Sequence, residues 1–499
     1  MFLETLIAGA ELYFNSLSLL LTVVGCFFGL IIGVLPGLGP LMGIILLTPM
    51  ALYLPPVAGM GLLIAIYVGG SCGGAVSAIL LRIPGTPLAA ATLLDGYPMA
   101  QKGRAPEAVG IAITASALGG LVGGSCLIFL SPLLAAFAIG FGPPEYFALT
   151  LLGLVSITVV SPESTVKGLL VGAVGMLLST IGMDQFASAY RFTFGVHQML
   201  NGFHIVAMVI GLFSISEMII QIRDGKLDAK PNIPLVGISL SSITVTMKSW
   251  FNLLRSSVVG TFFGALPGAG GVIASFTAYA LAKASSANPE SYGNGNPDGV
   301  ISTESANNAC CGGSLIPTLA LGLPGDAVTA VLMGALILVG FFPGPDLFEN
   351  NTEVVGGIFL AYIAANVILF FLGIFMTPLF ALILTVKKKH LIPIVALLSV
   401  IGVYAIQSSS FDLWVMFGFG VLGYFLRQYN YPLAPMVIGF VLGPICESNF
   451  RRSLVLSGES LTIFWSRPLA ATILAITLAA LLASFMPWQR IFRYFKSNE

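Results

Sequence analysis

Long apolar runs separated by short polar breaks dominate the chain from residue 17 to residue 487. A helix needs about 20 mainly apolar residues to cross a bilayer. Some runs are too short to cross alone and others hold two segments, so the pattern predicts an all-α membrane protein of about a dozen transmembrane helices with re-entrant pieces. The runs lie near 17–35, 41–54, 58–83, 108–140, 145–160, 165–182, 203–220, 250–266, 271–284, 301–342, 354–386, 391–407, 411–426, 433–446 and 468–487.

A polar segment near the middle of the chain divides these runs into two halves. We predict a first transmembrane half over 1–220, a linker over 221–249 and a second transmembrane half over 250–499. Basic residues in this linker, in Lys387–Lys389 and in the C-terminal tail mark cytoplasmic loops by the positive-inside rule. The C-terminus is therefore predicted in the cytoplasm. The N-terminal segment has no Lys or Arg before its first span and is predicted on the other side.

The two halves share sequence marks in the same order. The string GVLPGLG from Gly33 recurs as GALPGAG from Gly264, an offset of 264 − 33 = 231 positions. Cys72-Gly-Gly recurs at Cys311, an offset of 311 − 72 = 239, and Ile-Pro-Gly ending at Gly85 recurs as Leu-Pro-Gly 240 positions later (324 − 84 between the prolines). The chain is thus predicted to contain two repeats. Because they begin on opposite predicted sides, we expect inverted topology, a common plan for secondary transporters.

Each Pro-Gly pair interrupts an apolar run and predicts a broken helix, because proline removes a backbone donor and glycine allows dihedral angles closed to other residues. Freed backbone groups persist in a membrane only where protein or a water-filled cavity satisfies them. Four breaks at matching places predict helix ends that meet near mid-membrane. Helix N-termini there attract an anion, and exposed carbonyls at opposing ends coordinate a cation. The alternative is that the pairs only kink the spans for packing.

Polar side chains gather around the same breaks. Arg82 precedes the first break, and Thr92 and Asp95 follow it; in the second half the string STESANN over 302–308 comes before the break and Asp326 follows it. Ionisable groups within membrane segments are costly and usually functional, and Asn and Thr supply neutral groups for carboxylates or Na⁺. The alternatives are an interfacial position for Arg82 and Asp95, and helix–helix hydrogen bonds for the asparagines.

Composition agrees with a membrane protein and excludes several other classes. Charged residues are 8% of the 499 residues and hydrophobic residues 57%, against about 25% charged in soluble domains. Lys and Arg equal Asp and Glu at 21 each, so no net charge points to nucleic acid. Six cysteines without a CxxC pair and three histidines predict neither a disulfide framework nor a tightly bound metal, although transient Na⁺ is allowed. Asp184, Arg191, His197 and His204 are assigned to a solvent-facing linker without chemistry.

Longer strings around the breaks carry a resemblance to a known family. They are PGTP over 84–87, DGYPMA over 95–100, ESANNA over 304–309, Gly312-Gly313, LPGD over 323–326 and Gly344-Pro345. At these residues the chain resembles the large membrane subunit of tripartite tricarboxylate transporters, the TctA family, from about Gly33 to Pro444. The resemblance implies a secondary transporter subunit in a bacterial inner membrane that imports citrate-like di- or tricarboxylates. Its implied partners are a periplasmic substrate-binding protein, a small four-helix membrane subunit, Na⁺ or H⁺, and the lipid bilayer.

The breaks and the resemblance together give the candidate site residues, with no cofactor and no catalytic residue. Substrate contacts are predicted at Arg82, Pro84, Gly85, Thr86, Pro87, Thr303, Asn307, Asn308, Pro324 and Gly325. Ion contacts are predicted at Gly37, Gly39, Gly268, Gly270, Ser302 and Asp326.

Two rival functions remain open on the sequence. A stand-alone ion-coupled carrier of organic anions has similar internal chemistry and differs in needing no binding protein. An intramembrane aspartyl protease needs two neighbouring carboxylates, for which Asp326 and Glu304 are the candidates, but it leaves the repeat unexplained. The chain has no G-x-x-x-x-G-K-[ST] loop, so we do not expect it to hydrolyse ATP, and we predict that it is not an enzyme.

Overall fold

A computed structural model of the chain describes residues 2–35, 38–159, 165–184, 186, 189–223, 237, 239–266, 270–384 and 388–485. Helices account for most of these residues, which confirms the predicted all-α membrane fold. Helix is the expected form for apolar chain in lipid, because every backbone hydrogen bond is then made within the segment. The predicted ion contacts Gly37 and Gly268 lie outside the described residues, as do linker residues 224–236 and the basic tail 489–496.

The helix bounds follow the apolar runs. The first half contains α1 Phe2–Tyr13, α2 Ser16–Val34, α3 Gly39–Ala51, α4 Pro56–Leu81, α5 Leu93–Met99, α6 Ala105–Ala138, α7 Pro143–Val159, α8 Thr165–Ser179, α9 Ile205–Val209 and α10 Ser216–Arg223. Helix α11 Ser241–Lys248 lies within the predicted linker. The second half contains α12 Trp250–Ala265, α13 Gly270–Ala284, α14 Pro297–Leu321, α15 Ala327–Leu338, α16 Pro345–Asn350, α17 Thr352–Leu384, α18 Lys388–Gln407, α19 Ser410–Gln428, α20 Ala434–Leu456, α21 Ile463–Ser466 and α22 Pro468–Phe485.

Short irregular elements connect these helices. They are the 3₁₀ turns Pro87–Ala90, His197–Asn201 and Pro289–Ser291, the π-helical segments Ala100–Arg104 and Ile210–Ile215, and the strands β1 Gly182–Met183 and β2 Tyr190–Arg191. The two strands pair antiparallel, with Gly182 opposite Arg191.

Five helical stretches of the described residues are long and apolar enough to cross a membrane. They are Ser16–Val34, Pro56–Leu81, Leu93–Ala138, Ile205–Arg223 and Thr352–Phe380. Shorter apolar helices accompany them at Gly39–Ala51, Thr165–Ser179, Ala327–Leu338, Ile392–Ala405 and Pro468–Leu482. In the apolar run predicted over 301–342, the Pro324-Gly325 pair separates α14 from the shorter helix α15.

The two halves place equivalent helices in equivalent contacts. Helix α2 packs along α4, as α12 packs along α14, and α3 and α13 each return beside them. One later long helix of each series crosses over, so that α6 packs on α14 and α17 packs on α4. Each half therefore packs a long helix against the other half. Helices α4 and α14 meet at the centre of the molecule.

Close glycine contacts repeat atom for atom between these series. A methyl group placed on Gly33 would come within 2.2 Å of the Gly70 carbonyl oxygen, and one on Gly264 within 2.4 Å of the Cys310 carbonyl oxygen. One on Gly85 would come within 2.3 Å of the Gly33 carbonyl oxygen, and one on Gly325 within 2.9 Å of that of Gly264. The chain crossings therefore need glycine for the same reason in both halves.

The same contacts correct the register of the sequence repeat. Gly73 lies against the Leu30 carbonyl oxygen and Gly313 against that of Thr261, with added methyl groups 2.6 Å and 2.3 Å away. These partners set the offset of α14 from α4 at 313 − 73 = 240 positions. The pairing of Cys72 with Cys311 is thus one residue out of register. The pairing of the two cysteines was wrong because it aligned similar sequence letters. Equivalent residues are instead those that make the same contacts on the buried face of the helix.

The two Pro-Gly pairs among the described residues, Pro84-Gly85 and Pro324-Gly325, fall between helices, as predicted. Gly39 and Gly270, at the starts of α3 and α13, both have positive φ, +67° and +64°. Only glycine adopts such angles without strain. Both are predicted ion contacts, and the structure places them at the two matching hairpins between α2 and α3 and between α12 and α13.

The segment around the two strands differs from its predicted solvent-facing character. Asp184 is only 5% exposed and receives hydrogen bonds from Arg451 of α20. Arg191 donates to Glu447 of the same helix at 2.8 Å, and this carboxylate raises the pKa of the Arg191 guanidinium. Ion pairs thus connect the strand pair to α20. No local sequence pattern indicates them, because the partners lie more than 250 positions apart.

Candidate substrate site at the broken helices

A pseudo-two-fold axis passes between α4 and α14. Ser71 and Cys311 are equivalent positions (311 − 71 = 240), and the Cys311 Sγ lies 3.3 Å from the Ser71 Oγ. Reciprocal contacts between equivalent residues are the mark of a two-fold relation. The neighbouring contacts obey the same relation, because Asn307 donates to the Ser71 carbonyl oxygen at 3.2 Å and its equivalent Tyr67 interacts with Cys311.

The first break brings part of the predicted set into the core and leaves part outside. Gly85 and Thr86 are buried, Pro84 is half-buried, and Arg82 and Pro87 are exposed. Arg82 ends α4 in the left-handed region with φ 58°, and its guanidinium lies over the Tyr97 ring at 5.5 Å. This exposed position matches the alternative interpretation, in which Arg82 lies at the membrane interface.

The second break is buried and closed by hydrogen bonds. Pro324 and Gly325 are buried, and Asp326 caps α15 by accepting from the Thr329 backbone N–H at 2.7 Å. The Tyr67 hydroxyl of α4 donates to the other Asp326 carboxylate oxygen at 2.5 Å. Both carboxylate oxygens of this predicted ion contact therefore already hold a donor.

Helix α14 carries the other predicted contacts at full burial. The hydroxyls of Ser302 and Thr303 both donate to the Gly299 carbonyl oxygen within their own helix, at 2.9 Å and 3.1 Å. Thr303 also lies 3.0 Å from the Thr92 hydroxyl. Asn307 and Asn308 are completely buried, so the structure buries Thr86, Thr303 and the two asparagines and leaves Arg82 and Pro87 exposed.

Glu304 is a buried carboxylate surrounded by neutral donors. It has no exposed surface and accepts hydrogen bonds from Thr92, from Ser116 at 2.9 Å and from Asn307 at 3.5 Å. Among the described residues no Lys, Arg or His forms an ion pair with it. A carboxylate in such surroundings is costly to keep ionised, so a bound cation or proton would stabilise it.

Several buried polar atoms near the two-fold axis have no hydrogen-bond partner. They are Thr86 Oγ1, Asn307 Oδ1 and both side-chain polar atoms of Asn308; Asn366 Oδ1 on α17 is a further case. An unpaired buried polar group costs about 1–3 kcal/mol. Unpaired groups on residues predicted to contact substrate indicate a site that is completed by something that binds there.

Asp95 has a structural role beside this region. One of its carboxylate oxygens accepts from the backbone N–H groups of Gly293, Gly295 and Asn296 at 2.8–2.9 Å, and the other accepts from the Tyr279 hydroxyl at 2.9 Å. It thus joins α5 of the first half to the loop that enters α14. The interfacial alternative for Asp95 is wrong, because this side chain is 1% exposed.

Sequence reasoning missed several residues around the site. Tyr67, Ser71 and Ser116 bond to predicted residues or to Glu304. Thr92 was noted beside the first break but was not assigned its contact with Glu304. Tyr67 and Ser71 could have been found from the corrected register, which pairs them with Asn307 and Cys311. Ser116 has no such signal, because an isolated serine in an apolar helix usually bonds within its own turn.

A cavity of about 830 Å³ opens beside the second break. It is lined by Leu321 and Gly322 at the end of α14, by Gly344-Pro345 and by Arg452 of α20, among other residues. Its volume lies within the range of small-molecule sites. The cavity is therefore large enough to hold a small solute next to the broken helix.

Comparison with known proteins gives one family and two relatives. The family model described as the tripartite tricarboxylate transporter TctA family matches residues 19–438. An Agrobacterium vitis protein described as an uncharacterized 52.8 kDa protein in the TAR-I ttuC' 3' region is 35% identical over 485 residues, 97% of this chain and 96% of the relative. A second A. vitis protein, described as uncharacterized and in the TAR-II ttuC' 3' region, is 37% identical over 228 residues, 46% of this chain and 94% of the relative. No solved structure was found to match.

Proposed function

Because the chain belongs to the tripartite tricarboxylate transporter TctA family, we propose that it is the subunit that carries citrate-like di- and tricarboxylates across a bacterial inner membrane, driven by a Na⁺ or H⁺ gradient. The observation that carries this proposal is the pair of broken helices around a two-fold axis, with unpartnered buried polar atoms at Thr86, Asn307 and Asn308. Broken helices at the interface of repeats are where secondary transporters bind substrate and coupling ions.

The energetics of anion uptake favour coupling to a cation. A trianion entering an inside-negative cell at 100 mV meets a barrier of about 7 kcal/mol, at about 2.3 kcal/mol per charge. Concentrating it a thousandfold adds about 4 kcal/mol. Symport of several Na⁺ or H⁺ offsets both terms. Glu304 is the carboxylate that a coupling cation would neutralise, because its described partners are all neutral.

The family description supports the rest of the assembly. We propose that a periplasmic substrate-binding protein delivers the carboxylate and that a small four-helix membrane subunit accompanies this chain. We further propose that 1–220 and 250–499 act as two inverted halves joined by 221–249, with the C-terminus in the cytoplasm. Alternating access would then move one repeat-based unit against the other around the fixed two-fold axis.

Uptake into proteoliposomes tests the proposal. The chain and its small membrane partner would be reconstituted and given labelled citrate and other di- and tricarboxylates, with and without the binding protein, under imposed Na⁺ or proton gradients. Uptake that needs both the binding protein and a gradient is the expected result. Gradient-driven uptake without the binding protein would instead establish a stand-alone carrier, and no uptake of any acid would reject the substrate class.

Alanine substitutions at the asparagines test the site. Asn307→Ala and Asn308→Ala should each abolish uptake while the protein still inserts into the membrane. Asn294→Ala is the matched control, because this asparagine is exposed in the loop before α14. Normal uptake by both buried variants would remove these residues from the site.

A further inference from the structure

The two copies of the broken-helix site are not equivalent, and the difference indicates which one binds the ligand. Asn307 stands at the position of Tyr67 (307 − 67 = 240), and Thr86 at the position of Asp326 (326 − 86 = 240). In one copy the long Tyr67 side chain reaches Asp326 and closes the contact at 2.5 Å. In the other copy the shorter Asn307 leaves both its own Oδ1 and the Thr86 Oγ1 unpaired.

The two side chains that carry the unpaired atoms both contact α4. Asn307 is held against the Ser71 carbonyl oxygen at 3.2 Å. Thr86 lies against Gly74, where an added methyl group would be 2.5 Å from the Thr86 Oγ1. Three residues of helix separate these contact points by about 4.5 Å. The two polar side chains are therefore about one helical turn apart.

The hydrogen bonds of Asn307 fix which of its atoms is left free. Its Nδ2 lies 3.2 Å from the Ser71 carbonyl oxygen, which can only accept, and 3.5 Å from the Glu304 carboxylate. The amide nitrogen must therefore point to them, and Oδ1 points elsewhere as a free acceptor. The Thr86 hydroxyl is free to donate. The open copy thus offers one acceptor and one donor.

We propose that this open copy binds the hydroxyl and the adjacent carboxylate of a 2-hydroxycarboxylate, whereas Tyr67 blocks the second copy. The ligand hydroxyl donates to Asn307 Oδ1, and the ligand carboxylate accepts from Thr86. This assignment rests on the proposed function and narrows its substrate class. A cation alone suits the pair less well, because it accepts no hydrogen bond and would leave the Thr86 hydroxyl proton without a partner.

Matched pairs of acids test the assignment on the purified full-length protein. Thermal stabilisation and binding calorimetry would compare malate with succinate, and citrate with tricarballylate, which differ only in the hydroxyl group. The hydroxy acid should bind about tenfold more tightly or better, because its analogue leaves the buried acceptor unpaired. Equal affinities within each pair would overturn the assignment.

Variants separate the two copies of the site. Asn307→Leu should bring the hydroxy-to-deoxy affinity ratio close to one, and Thr86→Val should weaken both acids of a pair by a similar factor. Tyr67→Phe alters the closed copy and should leave the ratio as in the unaltered protein. A ratio that falls with Tyr67→Phe and survives Asn307→Leu would place the ligand in the other copy and contradict the proposal.

The outcomes also distinguish this inference from the proposed function. Binding of both kinds of acid with equal affinity rejects the hydroxyl contact and leaves carboxylate transport standing. Binding of neither kind, with or without Na⁺, rejects both. Stabilisation by Na⁺ alone that Asn307→Leu abolishes would reassign the open copy to a cation and overturn the proposal.

Discussion

Arg82 has a left-handed backbone conformation, and the residue at the equivalent position of the second repeat is a glycine. Arg82 ends α4 with φ 58°, and Gly322 ends α14 with φ 67° at the position 322 − 82 = 240 further on. The left-handed region costs a non-glycine residue about 1–2 kcal/mol. Such strain at an exposed side chain is retained where that side chain has a task, and lying over Tyr97 is the contact that it makes.

Replacing Arg82 by glycine separates its backbone role from its side-chain role. Arg82→Gly should raise the free energy of unfolding by about 0.5–1 kcal/mol, because relief of strain exceeds the entropy that glycine adds to the unfolded chain. The thermal midpoint in detergent measures this. If Arg82 contacts substrate as predicted, uptake should fall in the same variant. A more stable variant with unchanged uptake would assign the residue to the interface alone.

Asp95 should tolerate the loss of its charge better than the loss of its oxygens. Asp95→Ala leaves the N–H groups of Gly293, Gly295 and Asn296 without their acceptor and should cost about 3 kcal/mol or more. Asp95→Asn keeps one oxygen for these donors and should cost less than half as much. Thermal unfolding of the two variants decides the point. Equal losses would mean that charge rather than geometry holds the loop.

At the scale of helices, glycine positions set how closely the spans approach. Gly33→Ala and Gly264→Ala should each destabilise strongly, because the new methyl group would overlap a carbonyl oxygen of the neighbouring helix and overpacking costs about 1–3 kcal/mol or more. Gly418→Ala in α19 is the control, since nothing lies within 4 Å of its added methyl group. This control should gain up to about 1 kcal/mol.

Stability measurements on the three glycine variants test the equivalence of the two series. The losses at Gly33 and Gly264 should be similar, because each residue meets the same kind of carbonyl at the same crossing. A large loss at one and none at the other would show that only one hairpin is tightly packed. The two series of helices would then be similar in sequence but not in the packing of their hairpins.

For the whole molecule, the contact of Ser71 with Cys311 joins the two halves at their axis. Ser71→Cys should form a disulfide with Cys311 under a lipid-permeable oxidant, because the side-chain atoms already lie 3.3 Å apart. With a protease site placed in the 221–249 linker, the cleaved halves should stay joined on a non-reducing gel. The same cleaved protein with native Ser71 is the control, and separation of the oxidised variant into two fragments would contradict the axis.

The sequence by itself determined the membrane fold, the broken helices and the presence of a repeat. These features follow from local composition: lipid requires long apolar helices, and Pro-Gly pairs end them wherever they stand. The strings around Gly33 and Gly264 identified equivalent hairpins directly. Family membership also rested on such strings, because they are long enough to be specific without any knowledge of their contacts.

Only the tertiary structure decided the register of α14 against α4, the two-fold axis and the difference between its two sites. Each depends on which side chains meet across more than 200 positions of chain. Tyr67 is long enough to reach Asp326, whereas the shorter Asn307 leaves Thr86 unpaired. This difference depends on side-chain length at the interface between α4 and α14. Burial of Glu304 with Thr92 and Ser116 likewise appears only when α5 and α6 pack on α14, because a sequence records its polar residues but not their partners.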